Sequence, residues 1–284
     1  MLLLLLASGC SVNMAAVRTF SAETRQLTQA VDVQVSDLDA SCRRRVDRLE
    51  LVRPPTPETV ARYRQTCDQL AAASEIPRRY NTILAEYGKA LGALADDQAA
   101  TFTAELGEAR DSVASLANAA GASGVGAGEI AAGTRVADLI AKVASSGARK
   151  RAVMEMLQRR DDVAALCAVL KRYLDPRYVG VLDNEAGALD GLTTDLERKY
   201  GDHEPIRTRE LAREFEAAKG SLQAKRAGAE QTVEALDALV VSHGKLADGA
   251  RHLDRDDVVE SVHSYGKEVR DVFKQLRSAY AGTP

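Results

Sequence analysis

Val258, Val262, Tyr265, Val269, Val272 and Leu276 recur at alternating steps of four and three. That spacing places all six on one face of a helix and on no face of a strand. The same rhythm runs through Leu211, Phe215, Ala218, Leu222, Ala229, Leu236 and Leu239, and through Leu182, Leu189, Leu192, Leu196 and Tyr200. The N-terminal half carries Val17, Phe20, Leu27, Val31, Val35, Leu38 and Cys42 on one stripe. A second stripe there runs from Val60, Tyr63, Cys67 and Leu70 to Tyr80, Leu84, Tyr87, Leu91, Leu94 and Phe102. Helices of ~40 residues are rods of ~60 Å, and rods with one apolar face bury it only against one another. The expected fold is all-α: an elongated antiparallel helical bundle with coiled-coil-like seams, and no strands.

The breaks between stripes set its organisation. They fall near 53–57, 121–128, 175–176, 201–205 and 247–254, within one bundle domain over 10–284. Pro54, Pro55 and Pro57 end one helix sharply, and Pro77 is expected to kink or restart the next. Pro176 and Pro205 suit first-turn positions, and Asp254, Asp256 and Asp257 suit the start of the last helix. The Gly-rich stretch from Gly121 to Gly128 is the expected reversal in the middle. Composition agrees: 45% hydrophobic residues but only 4% aromatic, rich in Ala, Leu and Val, with 28% charged. That blend marks long helices. A net charge of −3 leaves no basic excess to neutralise phosphates, so nucleic acid is not an expected partner.

At the N-terminus five leucines are followed by Ala7-Ser8-Gly9-Cys10. A short apolar run ending in small residues and a cysteine resembles the signal peptide of a bacterial lipoprotein, with Leu6 to Cys10 as the lipobox. The resemblance covers these ten residues only. It implies that residues 1–9 are a cleaved signal peptide and that Cys10 is the lipidation site. The Cys10 thiol is then diacylglycerated and the new amine acylated, which anchors the chain to a lipid bilayer facing the periplasm. Ser11 stands where an aspartate favours inner-membrane retention, so the resemblance points to the outer membrane. No basic segment precedes the leucines, and Ala7 stands where the family more often has Leu. The alternative is a start at Met14, giving a cytoplasmic helical protein with no signal.

Cys42 and Cys67 lie on the apolar stripes either side of Pro54-Pro55, and the midpoint of their numbers falls between those prolines. In an antiparallel hairpin, residues equidistant from the turn face each other. Given an oxidising compartment, Cys42 and Cys67 are the expected disulfide; in the cytosol they would be two buried thiols. Cys167, beside Leu166 and Leu170, reads as a core thiol.

No motif names a reaction. Gly126-Ala127-Gly128-Glu129-Ile130-Ala131 matches GxGxxA, but what precedes it reads as a helix end rather than the strand that a dinucleotide site needs. His203, His243, His252 and His263 form no ligand pair, and the aspartates after His252 read as capping residues rather than a calcium site. No cofactor and no metal are expected. Lys225 occupies a seam position and is expected to snorkel outward, while Arg43-Arg44-Arg45 and Arg149-Lys150-Arg151 read as solvated helix faces. Tyr87-Gly88-Lys89 and Tyr265-Gly266-Lys267 form a faint internal echo, too short to establish a repeat. The leading expectation is a non-catalytic structural or interaction module whose partner is an envelope protein or a second copy. The alternative is a periplasmic carrier or chaperone for a lipid or hydrophobic peptide.

Overall fold

A computed structural model describes residues 14–52, 55–96, 125–144, 149–250 and 252–280. Cys10, the 1–9 segment, Phe102 and Gly121 to Gly124 lie outside them. The described elements are helical: α1 (Ala15–Val52), α2 (Pro57–Ala95), α3 (Ala127–Ala144), α4 (Arg149–Leu157), α5 (Arg160–Arg172), a kinked segment (Tyr173–Tyr178), α6 (Val179–Tyr200), α7 (Pro205–Asp248) and α8 (Asp256–Tyr280). None of the described helices is long and apolar enough to cross a membrane.

Helix α1 sits at the centre. It packs most extensively on α2 and also meets α6, α7 and α8. Its stripe of Val17, Phe20, Leu27, Val31, Val35 and Leu38 is buried, as are the stripes read on α6, α7 and α8 apart from Tyr200, Leu211 and Ala218, which are partly buried against the core. The α1–α2 hairpin keeps one register along its length. Cys42 pairs with Cys67, Thr28 with Asn81 and Ser21 with Gly88, each pair equidistant from the Pro54–Pro55 junction. The Asn81 side-chain amide donates to the Thr28 carbonyl at 2.8 Å, and the Ser21 hydroxyl donates to the Gly88 carbonyl at 2.7 Å. Backbones approach this closely because Gly92 has no side chain: a Cβ there would stand 2.3 Å from Ser21 Oγ. Thr56 caps α2, its side chain accepting from the Thr59 N–H, and Pro57 takes the first turn.

The Cys42–Cys67 bond crosses the two helices near the hairpin's turn. Together with Val46 it forms a small core of its own, flanked by Tyr63 and Leu70 and separate from the main one. So few apolar groups hold a helical tip weakly, and the cross-link adds about 3–4 kcal/mol in the chain-entropy view.

Two expectations change. Helix α2 runs through Pro77 without restarting. The ring removes one backbone donor, and the buried faces on both sides hold the rod together. The break at 175–176 lies where it is expected: Asp175, forced out of the helical region by the following proline, sits at φ −128° and ψ 116°, so the chain kinks there and a new helix starts beyond it, running on as α6 from Val179. Lys225 does not snorkel; it is 2% exposed.

Candidate functional site

Two buried polar clusters and one cleft distinguish the molecule from a plain hydrophobic bundle.

The first cluster surrounds Lys225 on α7. Its Nζ lies 3.0 Å from Asp37 Oδ1 on α1 and 4.6 Å from the centroid of the Tyr280 ring on α8. Asp37 also accepts from Arg44 at 3.0 Å and from the Tyr178 hydroxyl at 2.8 Å. Tyr178 and Tyr280 share a hydrogen bond at 3.0 Å. One turn further along α1, Glu185 from α6 is buried and accepts from Ser41, Arg44 and Arg48. Arg44 is thus not on a solvated face; it is largely buried and bridges the two carboxylates. Arg43 does lie at the surface, pairing with Asp39 and Asp68, and Arg45 stacks over Tyr63.

The cluster holds three cations, Lys225, Arg44 and Arg48, against two acids, Asp37 and Glu185. Burial drives the Lys225 ammonium below its ordinary range; Asp37 opposes that shift and Arg44 adds to it. Burial also works against the Arg44 charge, but its bonds to Glu185 and Asp37 outweigh that and raise it. Tyr178 and Tyr280 are pushed well above the ordinary phenol range, first by burial and then by the Asp37 carboxylate, with Tyr280 adding to the shift of Tyr178. These hydroxyls stay neutral donors. The arrangement ties α1, α6, α7 and α8 together at one level.

The second cluster is aromatic. Phe20 packs against His243 and Tyr265, and Tyr87 packs against His243. The Tyr87 hydroxyl lies 3.1 Å from the Met156 carbonyl and 2.6 Å from His243 Nε2. Its single proton goes to the carbonyl, so His243 donates from Nε2. That tautomer leaves Nδ1 as a bare acceptor, and Nδ1 is buried with no partner. Burial lowers the His243 pKa to about 4, so the ring is neutral near pH 7. The Tyr-Gly-Lys echo belongs to this cluster. Tyr87 and Tyr265 both enter it, and the glycines beside them lie against α1, Gly88 at Thr24 and Gly266 at Glu23. The echo therefore reflects one packing demand met twice: a tyrosine that inserts and a glycine that makes room.

The cleft opens between the middle of α2 and the stretch from the end of α5 through the kinked segment. It encloses about 600 Å³, within the ~300–1,000 Å³ of small-molecule sites. Its apolar lining includes Ala73, Ile76, Pro77, Val169, Tyr173 and Pro176. Glu75, Arg79, Arg172 and Arg177 add charge around it.

The remaining candidates fall elsewhere. His203, His252 and His263 are exposed and apart. Among the described residues, no group of His, Cys, Asp or Glu could hold a metal ion. Gly126 opens α3, its N–H bound to Glu129 at 2.9 Å as a helix cap. Cys167 is a buried core thiol, pushed by burial up to about 12. No known protein family, curated protein or solved structure matches this chain.

Proposed function

We propose that the protein is a lipid-anchored helical module of the bacterial cell envelope, held at the bilayer through Cys10 and facing the periplasm, that acts by binding rather than by catalysis. The observation that carries the reading is the Cys42–Cys67 disulfide. Structural disulfides persist in oxidising compartments, and the apolar run ending in Ala7-Ser8-Gly9-Cys10 supplies the means of reaching one. The long interlocked helices favour a rigid body that presents its faces to an envelope protein or to a second copy, and Ser11 favours the outer membrane. Growing cells with a labelled fatty acid while inhibiting lipoprotein signal peptidase tests this. The expected result is a labelled protein whose mobility shifts on inhibition and whose Cys42 and Cys67 resist alkylation. An unlabelled chain beginning at Met14 with two free thiols overturns it.

A second reading, a carrier, rests on the cleft, whose apolar lining and size suit a small amphiphile better than a flat protein contact.

A further inference from the structure

The cleft has a polarity of its own. Its lining is apolar, formed where Pro77 interrupts the hydrogen bonding of α2 and Pro176 follows the kink at Asp175 opposite. Its charged residues are unbalanced: Glu75 is the single acid among the lining residues, against Arg79, Arg172 and Arg177. Glu75 is already met by Arg78 at 3.4 Å, and Arg172 by Glu129 at 2.5 Å. Arg79 and Arg177 engage no carboxylate among the described residues, although ion pairs are common over the rest of the surface. Two uncommitted guanidiniums beside an apolar cleft complement a ligand with an anionic head and an apolar body. Guanidinium presents parallel N–H donors that match a carboxylate in two-point contact.

We propose that this cleft binds a long-chain fatty carboxylate, its chain along Ile76, Pro77, Tyr173 and Pro176 and its head at Arg79 and Arg177. The proposal rests on the carrier reading and is independent of the Cys10 anchor. A single alkyl chain fits the cleft's volume and needs no second acyl pocket. The open side beside Arg177, which is exposed, leaves the head in contact with water.

The test uses the chain from Ser11 onward, which contains every described residue and carries no acyl group of its own. Palmitate, hexadecanol, acetate and vesicles of phosphatidylglycerol are titrated separately, the first two below their aggregation limits. Saturable one-to-one binding of palmitate is expected, with hexadecanol weaker by about tenfold or more, as loss of a charged hydrogen bond predicts. Arg79→Gln with Arg177→Gln should bring palmitate down to the hexadecanol level and leave hexadecanol unchanged. Ala73→Leu, which fills the cleft, should abolish both. Thermal unfolding of each variant, matched to the parent, confirms that the bundle is intact. The proposal is overturned if the double variant binds palmitate like the parent, if hexadecanol binds as tightly as palmitate, if acetate alone competes, or if only vesicles bind. It is equally overturned if no probe saturates. A chain that is acylated in cells yet fails here loses this proposal and keeps its anchor; success here with an unlabelled chain does the reverse.

Discussion

Lys225 Nζ stands 3.0 Å from Asp37 Oδ1 in a place where neither side chain meets solvent. The two are not equivalent partners. Without Lys225, the cluster keeps Arg44 and Arg48 against Asp37 and Glu185, a balanced set. Without Asp37, three cations face Glu185 alone. Asp37→Asn is therefore expected to cost about 3–5 kcal/mol, as removal of one member of a buried pair does. Lys225→Met, similar in volume, should cost less than half as much. Urea unfolding of both variants decides it, and equal losses would show that charge balance does not govern this cluster.

His243 makes stability depend on pH. Its folded pKa is about 4, below the ordinary 6.5, so the unfolded chain binds the proton first. Stability from this group is fully present above pH 6.5 and is lost as pH falls from 6.5 towards 4. The slope contributed there is about 1.4 kcal/mol per pH unit at most. His243→Phe keeps the ring contact with Phe20 and should remove that part of the slope. Chemical denaturation at intervals between pH 4 and 7 measures it; an unchanged slope would count against a neutral, buried His243.

Reduction of Cys42–Cys67, or Cys42→Ser with Cys67→Ser, is expected to lower stability by about 3–4 kcal/mol in the chain-entropy view. Because the small core around Val46 stands apart from the main one, the hairpin tip should open first. Hydrogen exchange would show faster exchange in residues flanking 42 and 67 while α8 stays protected. Cys167, buried and held as a thiol, should react with alkylating reagents only on global unfolding.

Gly92→Ala forces a methyl to 2.3 Å from Ser21 Oγ. An overpacking loss of about 1–3 kcal/mol is expected. Ser21→Ala in the same chain removes the clashing oxygen, and the methyl then meets only Cβ at 3.3 Å. A double-variant cycle should show recovery of part of the loss; additive losses would place the strain elsewhere.

What the sequence disclosed was whatever local spacing encodes. The apolar stripes on α1, α6, α7 and α8 could be read because a helix repeats every three to four residues whatever it packs against. Cys42–Cys67 could be read because a sharp turn converts sequence distance into spatial pairing. Lys225 could not, because its partner Asp37 is 188 positions away and lies on a different rod. Seen alone, a lysine in an apolar seam reads as a side chain reaching for water. Arg44 reads as a solvated residue for the same reason, since Glu185 arrives from α6. The cleft is illegible too, being assembled from segments nearly 100 residues apart whose prolines locally signal only breaks. The Tyr87 and Tyr265 echo carried a true signal, and only the three-dimensional meeting at Phe20 and His243 gave it meaning.

The central position of α1 has a consequence for biosynthesis. Of the described helices α1 is made first, yet Phe20 and Thr24 wait for Tyr265, and Glu23 waits for Arg270. Helix α2 covers one flank within moments of synthesis. The rest of its surface is covered only as α6, α7 and finally α8 follow, the last more than 200 residues later. The hub therefore spends most of synthesis half-clothed. Clipping the last helix would undress the first, because Phe20, Thr24 and Glu23 all lean on α8.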